Sequence, residues 1–156
     1  MPGTPTKDTT YEPVPGWAKI PHGFFMREAT SVAVDSDDRV YIFSRGNMPV
    51  MVFDSEGNMV DSWGNEDPYT GTHKITDPYG NPMVTWPGNR FVWPHSIRVD
   101  HEDNLWLVDV LDNRIHKTTR TGEELMVLGT GVATEFQGGD PFNRPTDVTV
   151  DPASGD

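Results

Sequence analysis

Two residues in this chain sit where apolar runs begin or end and carry groups suited to chemistry. His95 follows Pro94 in FVWPHSIRVD, residues 91–100, at the point where an apolar stretch gives way to inward and outward alternation. Proline fixes φ and biases its predecessor toward an extended form, so the imidazole is held at the start of a strand. A neutral imidazole is a normal zinc ligand. It is equally a polar group that a strand start keeps hydrogen-bonded to a neighbour, and the residues alone leave both readings open. Arg45 in FSRG closes another apolar run. Its rigid fork can pair two donors with a carboxylate, although an arginine beside glycine after a strand is also a common solvated turn residue.

Other polar residues point more to turns than to chemistry. Asp35, Asp100 and Asp151 close similar alternating segments and are expected to accept backbone N–H bonds. Asp109 with Asn113 and Arg114 reads as an inter-strand turn. His22 lies in PHGF, nine residues before SVAVD, and is out of register with His95, which directly precedes SIRVD. His116 is expected on a strand surface, and His73 and His101 in exposed loop and turn contexts. Trp86, Trp93, Tyr69 and Tyr79 could line a groove or simply pack against a sheet edge.

The elements that must position these groups are short. Fourteen prolines and fifteen glycines punctuate the chain too often for long helices. What remains is a series of alternating segments, SVAVD, VYIF, VMVFD and NMVDSWG, followed by a second series, SIRVD, LWLVD, RIHK and ELMVLG. Each series reads as a four-stranded antiparallel meander, with glycine in the turns DSEGN and TRTGE where the chain must reverse.

The two series are one unit repeated. Ala29 to Gly64 lies over Pro94 to Gly129 at an offset of 65 without a gap, so that Asp35 meets Asp100, Asp38 meets Asp103, Gly57 meets Gly122 and Gly64 meets Gly129. A third copy starts at PTDVTVD, where Asp147 to Asp151 match Ser96 to Asp100 at an offset of 51. Repetition of four short strands predicts an all-β fold of the β-propeller kind, because each blade hides an apolar face against the next. The competing arrangement is a β-sandwich of two similar halves. The organisation expected is a lead-in over 1–28, a first blade over 29–64, an inter-blade loop segment over 65–93, a second blade over 94–129, and over 130–156 a connection with the start of a third. Propellers close with about four to eight blades. A partial propeller is therefore expected, completed by a missing half or by self-association.

Composition excludes several partners. The formal charge of −12, from 24 acidic and 12 basic residues, argues against nucleic acid, which is bound mainly through concentrated Lys and Arg. No run approaches the roughly 20 apolar residues of a bilayer span, and the N-terminal stretch has no apolar signal core. A soluble chain without a membrane partner is expected, with its compartment left open, an exported form whose leader has been removed included. There is no cysteine, so disulfides and thiolate ligands are absent.

The segments SVAVD…VYIFSRG, WPHSIRVDHEDNLWLVDVLDNRIHK and LMVLG…FNRPTDVTVDPASG together resemble the NHL-repeat propellers and, within them, the catalytic core of the peptidyl-α-hydroxyglycine α-amidating lyases. The resemblance covers about residues 29 to 156, roughly the first half of that core, and is most specific over Pro94 to Lys117 and Arg144 to Asp147. It implies a six-bladed propeller that cleaves a peptidyl-α-hydroxyglycine to a peptide amide and glyoxylate. It implies that His95 is one of three zinc-ligating histidines, the other two falling beyond Asp156, and that Arg45 is a catalytic arginine facing the substrate carboxylate. It further implies a structural calcium held partly by the backbone oxygens of Val32 and Ile97. The family's long insertion after the first-blade Arg-Gly is missing here, since Arg45-Gly46 runs almost directly into VMVFD. An extended segment at 65–90 stands elsewhere instead, which bears on the peptide substrate because loops usually set specificity. The alternative function is a non-catalytic NHL-type module that binds a protein or small molecule, since fold does not fix function.

Overall fold

The computed structural model describes residues 10–46, 48–65, 75–76, 82–83, 90–133 and 142–151. The first series of alternating segments forms β1 (Ala29–Val34), β2 (Val40–Ser44), β3 (Val50–Phe53) and β4 (Met59–Trp63). Two very short strands follow, β5 (Ile75–Thr76) and β6 (Pro82–Met83). The second series forms β7 (Pro94–Val99), β8 (Leu105–Asp109), β9 (Arg114–Thr118) and β10 (Glu124–Leu128). These strands make two four-stranded antiparallel sheets, ordered β1-β2-β3-β4 and β10-β9-β8-β7, and a small ribbon of β5 with β6. Among the described residues no helix is long and apolar enough to cross a membrane.

The two sheets share their turn chemistry. Asp38 and Asp103 take left-handed φ values of 59° and 62°, which a short polar side chain tolerates better than most. Behind each turn lies a buried aspartate. Asp35 accepts the backbone N–H groups of Asp37 and Arg39 at 3.0 and 2.9 Å and the Tyr41 hydroxyl at 2.8 Å. Asp100 repeats the pattern with Glu102 and Asn104 at 3.0 and 2.9 Å, the Trp106 indole at 3.1 Å, and the Lys117 ammonium at 2.9 Å. Burial works to raise both carboxyls, but the donors around them outweigh it and hold both below the ordinary aspartate value.

One core joins the sheets. Tyr41, Phe43, Val50, Val52 and Trp63 of the first sheet pack with Ile97, Leu105 and Leu107 of the second, and with Phe91 from the segment that leads into β7. The turns are tied as well: Asp103 accepts both the backbone N–H and the hydroxyl of Ser36, at 2.9 and 2.5 Å, and Arg120 reaches Asp37 at 2.6 Å. On the far face of the second sheet, Trp106, Val108 and Ile115 are covered by Phe142, Val148 and Val150. β8 is consequently buried along its whole length. The stretch 145–151, expected to open a third repeat, runs over that face without strand pairing.

The β-propeller expectation is not met. The described residues form two separate open sheets, neither of which closes on itself, and no ring of NHL-type blades is present among them. The gapless repeat dictates two like meanders with apolar faces. Closure into a ring is a further condition that local alternation does not encode, and here the apolar faces meet each other in one shared core.

The N-terminal lead-in is docked on the first sheet by a close approach. Trp17 packs on Phe53 with ring centroids 5.8 Å apart and donates its indole N–H to the Ser55 carbonyl at 3.1 Å, while the Lys19 N–H reaches the Gly57 carbonyl at 2.8 Å. Gly57 has a φ of 80°, and a Cβ there would collide with the Trp17 backbone carbonyl. Gly57→Ala should therefore cost about 1–2 kcal/mol for the left-handed residue alone and lift the lead-in away. Tryptic cleavage of the Lys19–Ile20 bond should speed up in this variant, and an unchanged rate would refute the docking role.

Candidate functional site

The candidate site lies where β2 leaves the first sheet beside the start of β7. Arg45 follows the last residue of β2, and its N–H pairs with the Glu28 carbonyl at 3.0 Å, which fixes both residues at the open end of the β1–β2 pair. The Arg45 guanidinium reaches across to the second sheet and donates from Nε to the Pro94 carbonyl at 3.1 Å. Its plane lies over the Trp93 ring at 4.3 Å from the centroid, a cation–π contact. Nη1 meets Oε2 of Glu28 at 2.5 Å. Arg45 is mostly covered, with 22% of its side chain exposed, whereas half of the Glu28 side chain faces solvent.

His95 is presented by a bulge. The β7–β8 register slips between Pro94 and Ser96, just as the β1–β2 register slips between Ala29 and Ser31. His95 and Thr30 therefore occupy equivalent extra positions, and bulges are a common way to re-aim a side chain beside a site. Thr30 uses its hydroxyl locally, donating to the Phe43 carbonyl at 3.0 Å. The His95 residue is half-buried.

Beneath this arrangement sits Asp109. Its fully buried carboxylate accepts the N–H groups of Val92 at 2.5 Å, Trp93 at 2.9 Å and Asp112 at 3.1 Å. Burial pushes the carboxyl above the ordinary aspartate value against the pull of those three donors. The clamp fixes the backbone that carries Trp93, Pro94 and His95. Asp109 thus positions the surface on which Arg45 rests.

The sequence-predicted residues separate into two groups. Arg45 donates to the carbonyl of Pro94, the residue immediately before His95. Trp93, one of four aromatics considered for a groove, lies under the guanidinium, whereas Trp86, Tyr69, Tyr79 and His73 fall outside the described residues. Val32 and Ile97 occupy equivalent positions on β1 and β7, opposite Ile42 and Leu107. The Ile97 carbonyl accepts a long hydrogen bond from the Arg98 guanidinium at 3.4 Å. His116 is not on a strand surface. It is buried, bonded to Glu124 at 3.1 Å and packed edge-on against Phe91 with centroids 5.5 Å apart.

The metal-binding expectation is corrected by the same geometry. Catalytic zinc takes three protein ligands and an open position. Among the described residues no group of three or more histidines, aspartates or glutamates could hold a metal ion. A single histidine such as His95 does not by itself constitute a zinc site. Two contributors escaped the sequence reading. Glu28 stands immediately before β1 with nothing to mark it. Asp109 was open to notice as a carboxylate ending an otherwise apolar strand, LWLVD, since such a group must be buried with partners.

No protein-family model matches the chain. Among curated proteins, it is 30% identical over 124 residues to peptidyl-alpha-hydroxyglycine alpha-amidating lyase 1 of Drosophila melanogaster, a match covering 78% of this chain and 23% of the fly protein. It is 31% identical over 139 residues to the peptidylglycine alpha-amidating monooxygenase of Rattus norvegicus, covering 82% of this chain and 13% of the rat protein. Monooxygenase B of Xenopus laevis, of the same description, is 30% identical over 137 residues, with 82% and 15% covered. The chain spans less than a quarter of the length of these relatives. Among solved structures, a streptogramin B lyase is similar at 16% identity with a TM-score of 0.29, over 64% of this chain and 39% of that one.

Proposed function

We propose, from the chain's family-level homology to the peptidylglycine amidating lyases and monooxygenases, that it takes part in a related catalytic role, as a lyase acting on N-acyl-α-hydroxyglycines. The observation that carries this reading is the Arg45 guanidinium, backed by Trp93, braced on the Pro94 carbonyl, and already gripping a carboxylate, that of Glu28. An α-hydroxyglycine ends in a carboxylate, and the fork of an arginine suits it. In the cleavage, the hydroxyl loses its proton as its oxygen becomes the aldehyde oxygen of glyoxylate. The carbon–nitrogen bond breaks, and the departing amide nitrogen takes up a proton. Neither water nor an oxidant is consumed. Arg45 binds and orients the carboxylate through this change, and His95, one residue beyond the Pro94 carbonyl that braces Arg45, supplies an imidazole.

Glyoxylate release from α-hydroxyhippurate, the benzoyl member of the substrate class, tests the reading. Arg45→Gln should lower kcat/KM by about ten- to a hundredfold, the usual worth of a charge-assisted pair, while Arg45→Lys should retain an intermediate rate. Activity in Arg45→Gln equal to that of the unaltered chain would overturn the assignment. Carboxylate binding that depends on Arg45 without any glyoxylate release would identify a binding module instead.

A further inference from the structure

We propose that Glu28 is a resident carboxylate that occupies the Arg45 anchor in the free protein and is displaced by the carboxylate of the ligand. Glu28 thereby sets how weakly the site holds carboxylates in general. The inference rests on the reading of Arg45 as a carboxylate anchor and adds a residue that regulates it.

Three observations lead to it. First, the pair is built by the backbone. The Arg45 N–H to Glu28 carbonyl bond at 3.0 Å holds the two residues opposite each other, so Glu28 is a tethered competitor whose local concentration does not depend on solution conditions. Second, the two partners differ in mobility of position. Arg45 is fixed by Trp93 and Pro94 and largely covered, whereas the Glu28 carboxylate makes its one described side-chain contact with Arg45 and is half exposed. A ligand can therefore take Oε2's place while Glu28 swings into water, and the anchor itself need not move. Third, an exposed ion pair is weak, so the displacement is affordable to a ligand that makes further contacts and discouraging to one that does not. A small anion such as acetate gains only the guanidinium. An N-acylglycine adds its acyl group and its amide.

Hippurate, which has the carboxylate and acyl group but no reactive hydroxyl, is the probe, and hippuramide, which lacks the carboxylate, is the control. Binding is measured by calorimetry on the unaltered chain, Glu28→Gln, Arg45→Gln and the double variant. Glu28→Gln should tighten hippurate binding by about three- to fivefold, the reciprocal of a weak exposed pair, and leave hippuramide unchanged. A purely structural role for Glu28 would weaken binding or leave it alone, so tightening is the discriminating sign. Arg45→Gln should abolish the gain as well as most of the hippurate affinity. If Arg45→Gln loses hippurate but Glu28→Gln binds it no tighter, the displacement idea is wrong and the anchor stands. If Arg45→Gln binds hippurate as well as the unaltered chain does, or no form binds it at all, the anchor reading fails and the inference fails with it.

Discussion

Phe91→Ala should remove about 3–5 kcal/mol of stability, the usual cost of truncating a buried phenylalanine, and this is the largest single effect expected in the chain. Phe91 belongs to neither sheet. It is 2% exposed and meets Phe43 of β2 edge-on at 5.0 Å between centroids, Trp63 of β4 at 6.3 Å and His116 of β9 at 5.5 Å. Its ring also covers the bare backbone of Gly64, where a Cβ would stand 3.1 Å from the ring. One side chain therefore fills the joint between the two sheets, and its loss leaves a cavity that no neighbouring strand can collapse to close without breaking its own ladder. Because a domain of this size holds only about 5–15 kcal/mol, the variant should unfold at a much lower denaturant midpoint. Phe91→Leu, which keeps most of the volume, should lose under about 1.5 kcal/mol. A Phe91→Ala loss no larger than that of the leucine variant would show that the joint is held elsewhere.

The contrast between Phe91 and the strands explains what the sequence could disclose. Alternation in VYIF and LWLVD, and glycine or aspartate at the reversals, are local signals, and the strands and left-handed turns formed where those signals stand. The offset of 65 even relates the paired acceptors, Asp35 with Tyr41 and Asp100 with Trp106. How two such sheets sit together is not local. It depends on Phe91, on Ser36 reaching Asp103, and on the 142–150 segment covering β8, contacts whose partners carry no mark in a window of neighbouring residues. The propeller expectation failed at that level. The site divides in the same way. Arg45 was legible because a guanidinium at the end of an apolar run is conspicuous. Asp109 stood out as a carboxylate closing an apolar strand, but its partners Val92 and Trp93 did not, and neither did Glu28, because those pairings join residues distant in the chain.

Asp109→Asn should cost about 2–4 kcal/mol at neutral pH, since it leaves buried backbone donors without an acceptor. The wild-type carboxylate uses one oxygen for Trp93 and Asp112 and the other for Val92. An asparagine can replace only one of those oxygens, and its NH2 would confront the remaining N–H. The pH dependence of this difference has a definite sign. The carboxyl is raised in the folded chain above its ordinary value of 3.8. Folding therefore binds a proton at this position, and the stability linked to it is fully present below 3.8 and lost as pH rises through the raised folded value. Asparagine has no such linkage. The gap between wild type and Asp109→Asn should accordingly widen as pH falls toward 3.8. Meanwhile both proteins lose stability in acid, because Asp35, Asp100 and Asp147 are held below the ordinary value and lose their contribution as they protonate. Urea titrations of the two proteins at a series of pH values separate these terms, because the other carboxylates cancel in the difference. A gap that narrows in acid would mean that Asp109 is held low by its three N–H donors despite its burial, and a gap near zero throughout would mean that Trp93 and His95 owe their placement to something other than this clamp.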